Sequence, residues 1–201
     1  ATGVSEVPQV QQVQGIPGER QSPVVFGMLS SDRSDVLRRG LDRAGLGDAT
    51  AALMADRPPE EVLREADVIV SVPWPWSGEP ATQALAAMSA GKPVVVLETA
   101  GTADWPALDP QSWQPRGPTR EATIVVSIDP LDEDHSLGLA LVRLSTDAIL
   151  RAKLGAAAKD WWRAHATPGH AAADWARILS EAAAQLPATS AFGHLPVERR
   201  L

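Results

Sequence analysis

Apolar positions along the chain fall into short clusters with two alternating periods. Val24-Val25-Phe26-Gly27-Met28 is a β-branched run that predicts a strand. Behind it, residues 31–44 set Val36, Leu37, Leu41 and Ala44 on one helical stripe, and Gly45 stops the helix. The alternation then repeats. Residues 50–53 predict a strand, and Pro58-Pro59-Glu60-Glu61 opens a helix with carboxylates at its positive end. Strands are predicted over 67–72, 93–97 and 122–128, with a helix over 82–90 between the first two and Gly91 at its end. Short, nearly all-apolar strands alternating with helices predict a parallel sheet covered on both faces and right-handed βαβ connections, a doubly wound, Rossmann-like α/β domain. After Asp129-Pro130 every periodic segment is helical, over about 136–145, 147–165 and 168–185. Thr167-Pro168 opens the last of these with a hydroxyl and a proline, and Ala171, Trp175, Ile178 and Ala182 share one face.

Composition bounds this picture without changing it. With 201 residues, 44% apolar and 21% charged, the chain supports one sizeable core. Residues 1–22, punctuated by Pro8 and Pro17 and followed by Pro23, read as a linker or extended lead-in. Residues 23–186 read as the α/β domain with its trailing helices, and 187–201 as a tail. No apolar run approaches the length of a membrane span, so no integral membrane segment is expected. The start Ala1-Thr2-Gly3 lacks a basic-then-apolar leader and, without a methionine, reads as cut from a longer chain. A cytoplasmic location is the expectation, peripheral membrane attachment included. Cysteine is absent, which removes disulfides, thiolate metal sites and thiol nucleophiles together. A net charge of -7 and a pI near 5.1 argue against nucleic acid as a partner.

The segment richest in candidate chemistry runs Ala66-Asp67-Val68-Ile69-Val70-Ser71-Val72-Pro73-Trp74, then Gly78-Glu79-Pro80, then Leu85-Ala86-Ala87-Met88-Ser89-Ala90-Gly91-Lys92-Pro93-Val94-Val95-Val96. A strand end feeding a Gly/Pro turn and a helix N-terminus is where doubly wound sheets take anionic ligands, because free backbone N–H groups and the helix dipole converge there. On periodicity alone, a strand, turn and helix that hold no ligand are the simpler reading.

This block resembles the donor-site signature of the retaining GT-B glycosyltransferases often called glycosyl transferases group 1. Asp129-Pro130 before a helix, and Leu150-Arg151-Ala152-Lys153-Leu154-Gly155-Ala156-Ala157-Ala158, which is similar to that family's C-terminal Leu-Arg/Leu-Gly helix, extend the resemblance over about residues 24–184. It implies the donor-binding half of a two-domain enzyme, with a nucleotide-diphosphate sugar as ligand and no metal or other cofactor. The acceptor-binding N-terminal domain is not in this chain, so donor binding without transfer is the expectation. The resemblance assigns the catalytic carboxylate to Glu79 and donor contacts to Gly27, Arg33, Gly78, Pro80, Ala81, Thr82, Gly101 and Thr102.

The sequence also departs from the family pattern. Ala86 stands where the ribose-binding carboxylate belongs, Glu79 lies one position nearer to Ala87-Met88 than the pattern has it, and Met28 replaces the arginine of a two-cation diphosphate clamp. These departures keep open a non-catalytic relative with a stabilising, regulatory or partner-binding role. An unrelated small α/β ligand-binding domain is the other alternative. Arg33 fits the clamp's second cation, or else an exposed helix-start arginine paired with Asp32 or Asp35. Thr99-Ala100-Gly101-Thr102-Ala103-Asp104 fits either the family's donor-side glycine loop or a turn that starts a short helix. Asp129, Asp132, Glu133, Asp134 and His135 read as an acidic helix start rather than a cation site, and His165 and His170 share no face, so no zinc site is expected. Of seven tryptophans, Trp161, Trp162 and Trp175 read as core or inter-domain contacts. For Trp74 the resemblance implies a place at the donor-site strand end, whereas for Trp76, Trp105 and Trp113 ligand contact and packing stay equally open.

Overall fold

In the computed structural model, residues 23–29, 33–47, 51–54, 57–73, 81–116 and 121–184 are described, the segment 51–54 by its backbone alone. The lead-in (1–22), the tail (187–201), Trp74, Trp76, Gly78, Glu79 and Pro80 lie outside the described residues. Six strands, β1 (Val24–Gly27), β2 (Ala51–Met54), β3 (Val68–Ser71), β4 (Val94–Leu97), β5 (Ala107–Leu108) and β6 (Val125–Ile128), form one sheet in the order β2-β1-β3-β4-β6-β5. Every pairing is parallel. The doubly wound α/β architecture expected from the alternating pattern is therefore present. β5 is the element the pattern does not predict: two buried residues that follow Pro106 are too few to show a period.

The described residues also form six helices: α1 (Ser34–Arg43), α2 (Pro59–Glu65), α3 (Thr82–Ser89), α4 (Glu133–Thr146), α5 (Ala148–His165) and α6 (Pro168–Ala184). Side chains alternate across each strand, so two apolar layers result. On one face Val24, Phe26, Met28, Val68, Val70 and Val95 meet Leu37 and Leu41 of α1 and Leu137, Leu141 and Leu144 of α4. On the other, Ile69, Val94, Val96 and Val125 meet Val62 of α2, Ala84 and Met88 of α3 and Ala158 of α5.

Local chemistry sets the element ends. Gly45 (φ +66°) and Gly91 (φ +74°) sit in the left-handed region just past α1 and α3, as a helix C-terminus favours. Asp67 ties β3 to β1 twice: its carboxylate accepts from the Val25 N–H at 2.9 Å, and its own N–H donates to the Val25 carbonyl at 2.8 Å. The Lys92 ammonium reaches the Ala66 carbonyl at 2.7 Å and that of Arg64 at 3.2 Å, a cation at the C-terminal end of α2. α6 differs from the other helices because it buries no residue. Trp175 is 64% exposed on it, so the expectation of a core role for this tryptophan is corrected. A helix can carry an amphipathic stripe that no surface among the described residues receives.

Candidate ligand-binding crevice

The chain reverses direction across the sheet between β1 and β3: β2 lies on one side of β1, and β3, β4, β6 and β5 on the other. At such a switch point the connections leaving the two strands part in opposite directions and open a crevice at the carboxyl ends. The segments bordering it follow β1 (Met28, Leu29 and Arg33), β3 (Val72, Pro73, Ala81 and Thr82), β4 (98–105) and β6 (129–133).

Arg33 stands at the start of α1 and is only 15% exposed. Among the described residues its partner is Glu133, the first residue of α4; Asp35 pairs with Arg39 instead, and Asp32 lies outside the described residues. The guanidinium meets the carboxylate through one nitrogen: Nη2 donates to Oε1 at 2.8 Å and to Oε2 at 3.0 Å. Its other terminal nitrogen, Nη1, is buried and has no hydrogen-bond partner among the described residues. In the sheet β3 and β4 separate β1 from β6, about 14 Å at ordinary strand spacing. The pair thus joins the helices that follow β1 and β6 along the crevice's edge. No local signal in the sequence points to Glu133 as this partner, since 100 residues separate the two.

The other predicted site residues take more structural places. A Cβ on Gly27 would lie 2.5 Å from Val62 Cγ1 and 2.8 Å from Ala66 Cβ, so the close approach of α2 explains this glycine. Met28, 2% exposed, points into the α1/α4 core, away from solvent. Ala81 is half-buried and precedes α3 with no side-chain cap, no acidic residue stands in the first turn of that helix, and Thr82 is exposed. Among the described residues, no side chain caps its leading N–H groups.

After β4 the chain makes a turn and forms no helix, which corrects the helical alternative for 99–104. Thr102, 6% exposed, donates its hydroxyl proton to the Leu97 carbonyl at 2.8 Å and accepts from the Thr99 N–H at 3.0 Å. Gly101 is exposed beside it, its N–H donating to the Thr99 hydroxyl at 3.3 Å. Glu98, at the end of β4, pairs with Arg116.

Away from the crevice, Trp105 packs on Trp161 with ring centroids 5.6 Å apart, and Trp161 stacks on His165. Trp105, Trp161 and Trp162 all pack against the second core layer, so packing accounts for them. Trp113 holds a left-handed backbone (φ 56°) and packs on the first layer with the Arg143 guanidinium 5.7 Å from its ring centroid. A groove of about 650 Å³ opens nearby, lined by Arg43, Trp113, His135 and Arg143 among others. Both of its arginines are committed, Arg43 to Asp134 and Arg143 to Asp147, which leaves Arg33 as the described cation with an unused buried donor. Glu133 and Asp134 occupy the first turn of α4, and no three His, Asp or Glu side chains among the described residues converge as a metal-binding group. No protein-family model matches this sequence and neither does any curated protein, so what the crevice binds is inferred from its own residues.

Proposed function

We propose that this chain is the donor-binding domain of a two-domain, GT-B-type glycosyltransferase, taking a nucleotide-diphosphate sugar in the crevice between the ends of β1 and β3. Arg33 is the observation that carries this reading. A guanidinium that is 15% exposed at the carboxyl edge of a doubly wound sheet, with Nη1 buried and unpartnered, holds an unspent donor suited to a phosphate oxygen. The uncapped N-terminus of α3 across the switch point supplies backbone N–H groups of the same preference. In this reading Glu79, Gly78 and Pro80, which lie outside the described residues, are the ones assigned to the sugar, Gly101 and Thr102 shape the far wall, and the acceptor comes with a partner domain.

A second reading, a non-catalytic domain of the same descent, is favoured by the neutralisation of Arg33 by Glu133 and by the burial of Met28 at the position of the family's arginine. Calorimetric titration of the folded chain with uridine, guanosine and adenosine diphosphates and their sugars separates the two. A working donor site binds one of these nucleotides, and Arg33→Ala weakens that binding about tenfold or more, the worth of a charge-assisted hydrogen bond. Heat from none of them overturns donor binding and leaves the non-catalytic reading.

A further inference from the structure

Glu133 has no role in the donor-site resemblance, yet it makes the only hydrogen bonds found for Arg33 side-chain nitrogens among the described residues. The contact uses the guanidinium poorly. An arginine fork normally meets a carboxylate with two nitrogens, one for each oxygen. Here both oxygens crowd Nη2, and Nη1 is left buried without an acceptor. A buried donor with no partner is unfavourable, and a planar carboxylate held at the start of α4 does not relieve it. A tetrahedral oxyanion with three free oxygens can meet Nη1 and Nη2 together.

Glu133 is also placed to leave. It is 24% exposed, so its carboxylate can be solvated once it leaves Arg33. As the first residue of α4 it keeps the favourable field of the helix N-terminus whether or not it touches Arg33. We propose that Glu133 is an intramolecular competitor for the anion site: its carboxylate occupies Arg33 in the empty domain, and a ligand diphosphate binds by displacing it. The inference rests on the donor-site reading above and adds to it a built-in threshold, so that anions too weak or too small to satisfy both nitrogens are excluded by the resident carboxylate.

The test is calorimetric titration of the full chain with inorganic pyrophosphate and with the nucleotide diphosphate that binds best. Wild type, Glu133→Gln, Arg33→Ala and Glu65→Gln are compared, the last removing a carboxylate at the C-terminal end of α2, outside the segments that border the crevice, that is paired with Arg57 and Arg64 and not with Arg33. Competition predicts that Glu133→Gln binds pyrophosphate about tenfold more tightly than wild type, the equivalent of one modest ion pair. Glu65→Gln is then close to wild type, and the Arg33→Ala/Glu133→Gln double variant loses the gain. Should Glu133→Gln unfold, Glu133→Asp, whose carboxylate stands one methylene further back, shows a smaller gain. Equal or weaker binding by Glu133→Gln, with wild type still binding, overturns the competition and leaves the donor-site reading standing. Binding by neither protein, both folded, overturns both.

Discussion

Gly155, in the middle of α5, packs directly against Gly91 at the end of α3. A Cβ built on it would lie 2.3 Å from the Gly91 carbonyl oxygen and 3.2 Å from the carbonyl carbon. Carbon and carbonyl oxygen rest no closer than about 3.3 Å, so Gly155→Ala demands a displacement of about 1 Å. The obstacle is backbone and is itself held. The Gly91 N–H bonds to the Met88 carbonyl at 2.9 Å, the Lys92 N–H bonds to that of Ala87 at 3.0 Å, and the Lys92 side chain is anchored on α2. Overpacking of this kind costs about 3 kcal/mol, the upper part of its usual range, against about 1 kcal/mol gained from alanine's helix propensity. The net expectation is about 2 kcal/mol of destabilisation. Gly138 in α4 is the control, because nothing lies within 4 Å of its added Cβ, and Gly138→Ala should stabilise by about 1 kcal/mol. Gly40 falls between, since its added Cβ meets side-chain rather than backbone atoms, Leu137 Cδ2 at 3.0 Å, Leu141 Cδ1 at 3.1 Å and Leu137 Cγ at 3.3 Å. In urea unfolding, with m about 2 kcal/mol/M, the roughly 3 kcal/mol between the Gly155 and Gly138 variants separates their midpoints by about 1.5 M. A Gly155→Ala midpoint equal to or above that of Gly138→Ala, at unchanged m, would refute the reasoning.

Two further perturbations follow from the hydrogen bonds. Asp147 caps α5 by accepting from the Leu150 N–H at 2.9 Å, and this bond first, then the Arg143 guanidinium, holds its carboxyl below the usual 3.8. Asp147→Ala should cost about 1 kcal/mol near neutral pH. Because the folded-state value is the depressed one, that contribution is complete above the ordinary carboxylate range and fades as pH falls through the lowered value. Urea midpoints of variant and wild type should therefore converge in acid; a gap that stays constant to the lowest pH at which both still fold would count against it. Thr102→Val strips the buried Leu97 carbonyl of its hydroxyl donor and the Thr99 N–H of its acceptor, for an expected loss of about 1–3 kcal/mol. Thermal unfolding checks it, and a melting temperature unchanged from wild type would mean that the turn after β4 closes without this residue.

Local patterns along the chain carry most of the fold. Runs such as Val94-Val95-Val96-Leu97 are apolar on both sides because a parallel strand is covered on both sides, and Gly45 and Gly91 mark helix ends because few other residues take positive φ there. The alternation of these signals was enough for a doubly wound sheet with trailing helices. β5 escaped it, being only one period of alternation long. So did the difference between Trp161 and Trp175: both lie on helical apolar stripes, but among the described residues only the first has a surface to pack on.

For the crevice, sequence alone supplied Arg33 as a candidate but offered Asp32 or Asp35 as its partner, because nearness along the chain was the only guide to pairing. Folding brought Glu133 to it by setting α1 and α4 side by side on one face of the sheet, and left Nη1 with no acceptor. The glycines divide in the same way. Gly138 and Gly155 are alike in helix propensity, yet one faces open space and the other a carbonyl oxygen. Propensity, capping and period depend on residues within a turn or two and so are written locally. The identity of the atom across a helix contact or an ion pair depends on how distant segments pack, and only the tertiary structure decides it.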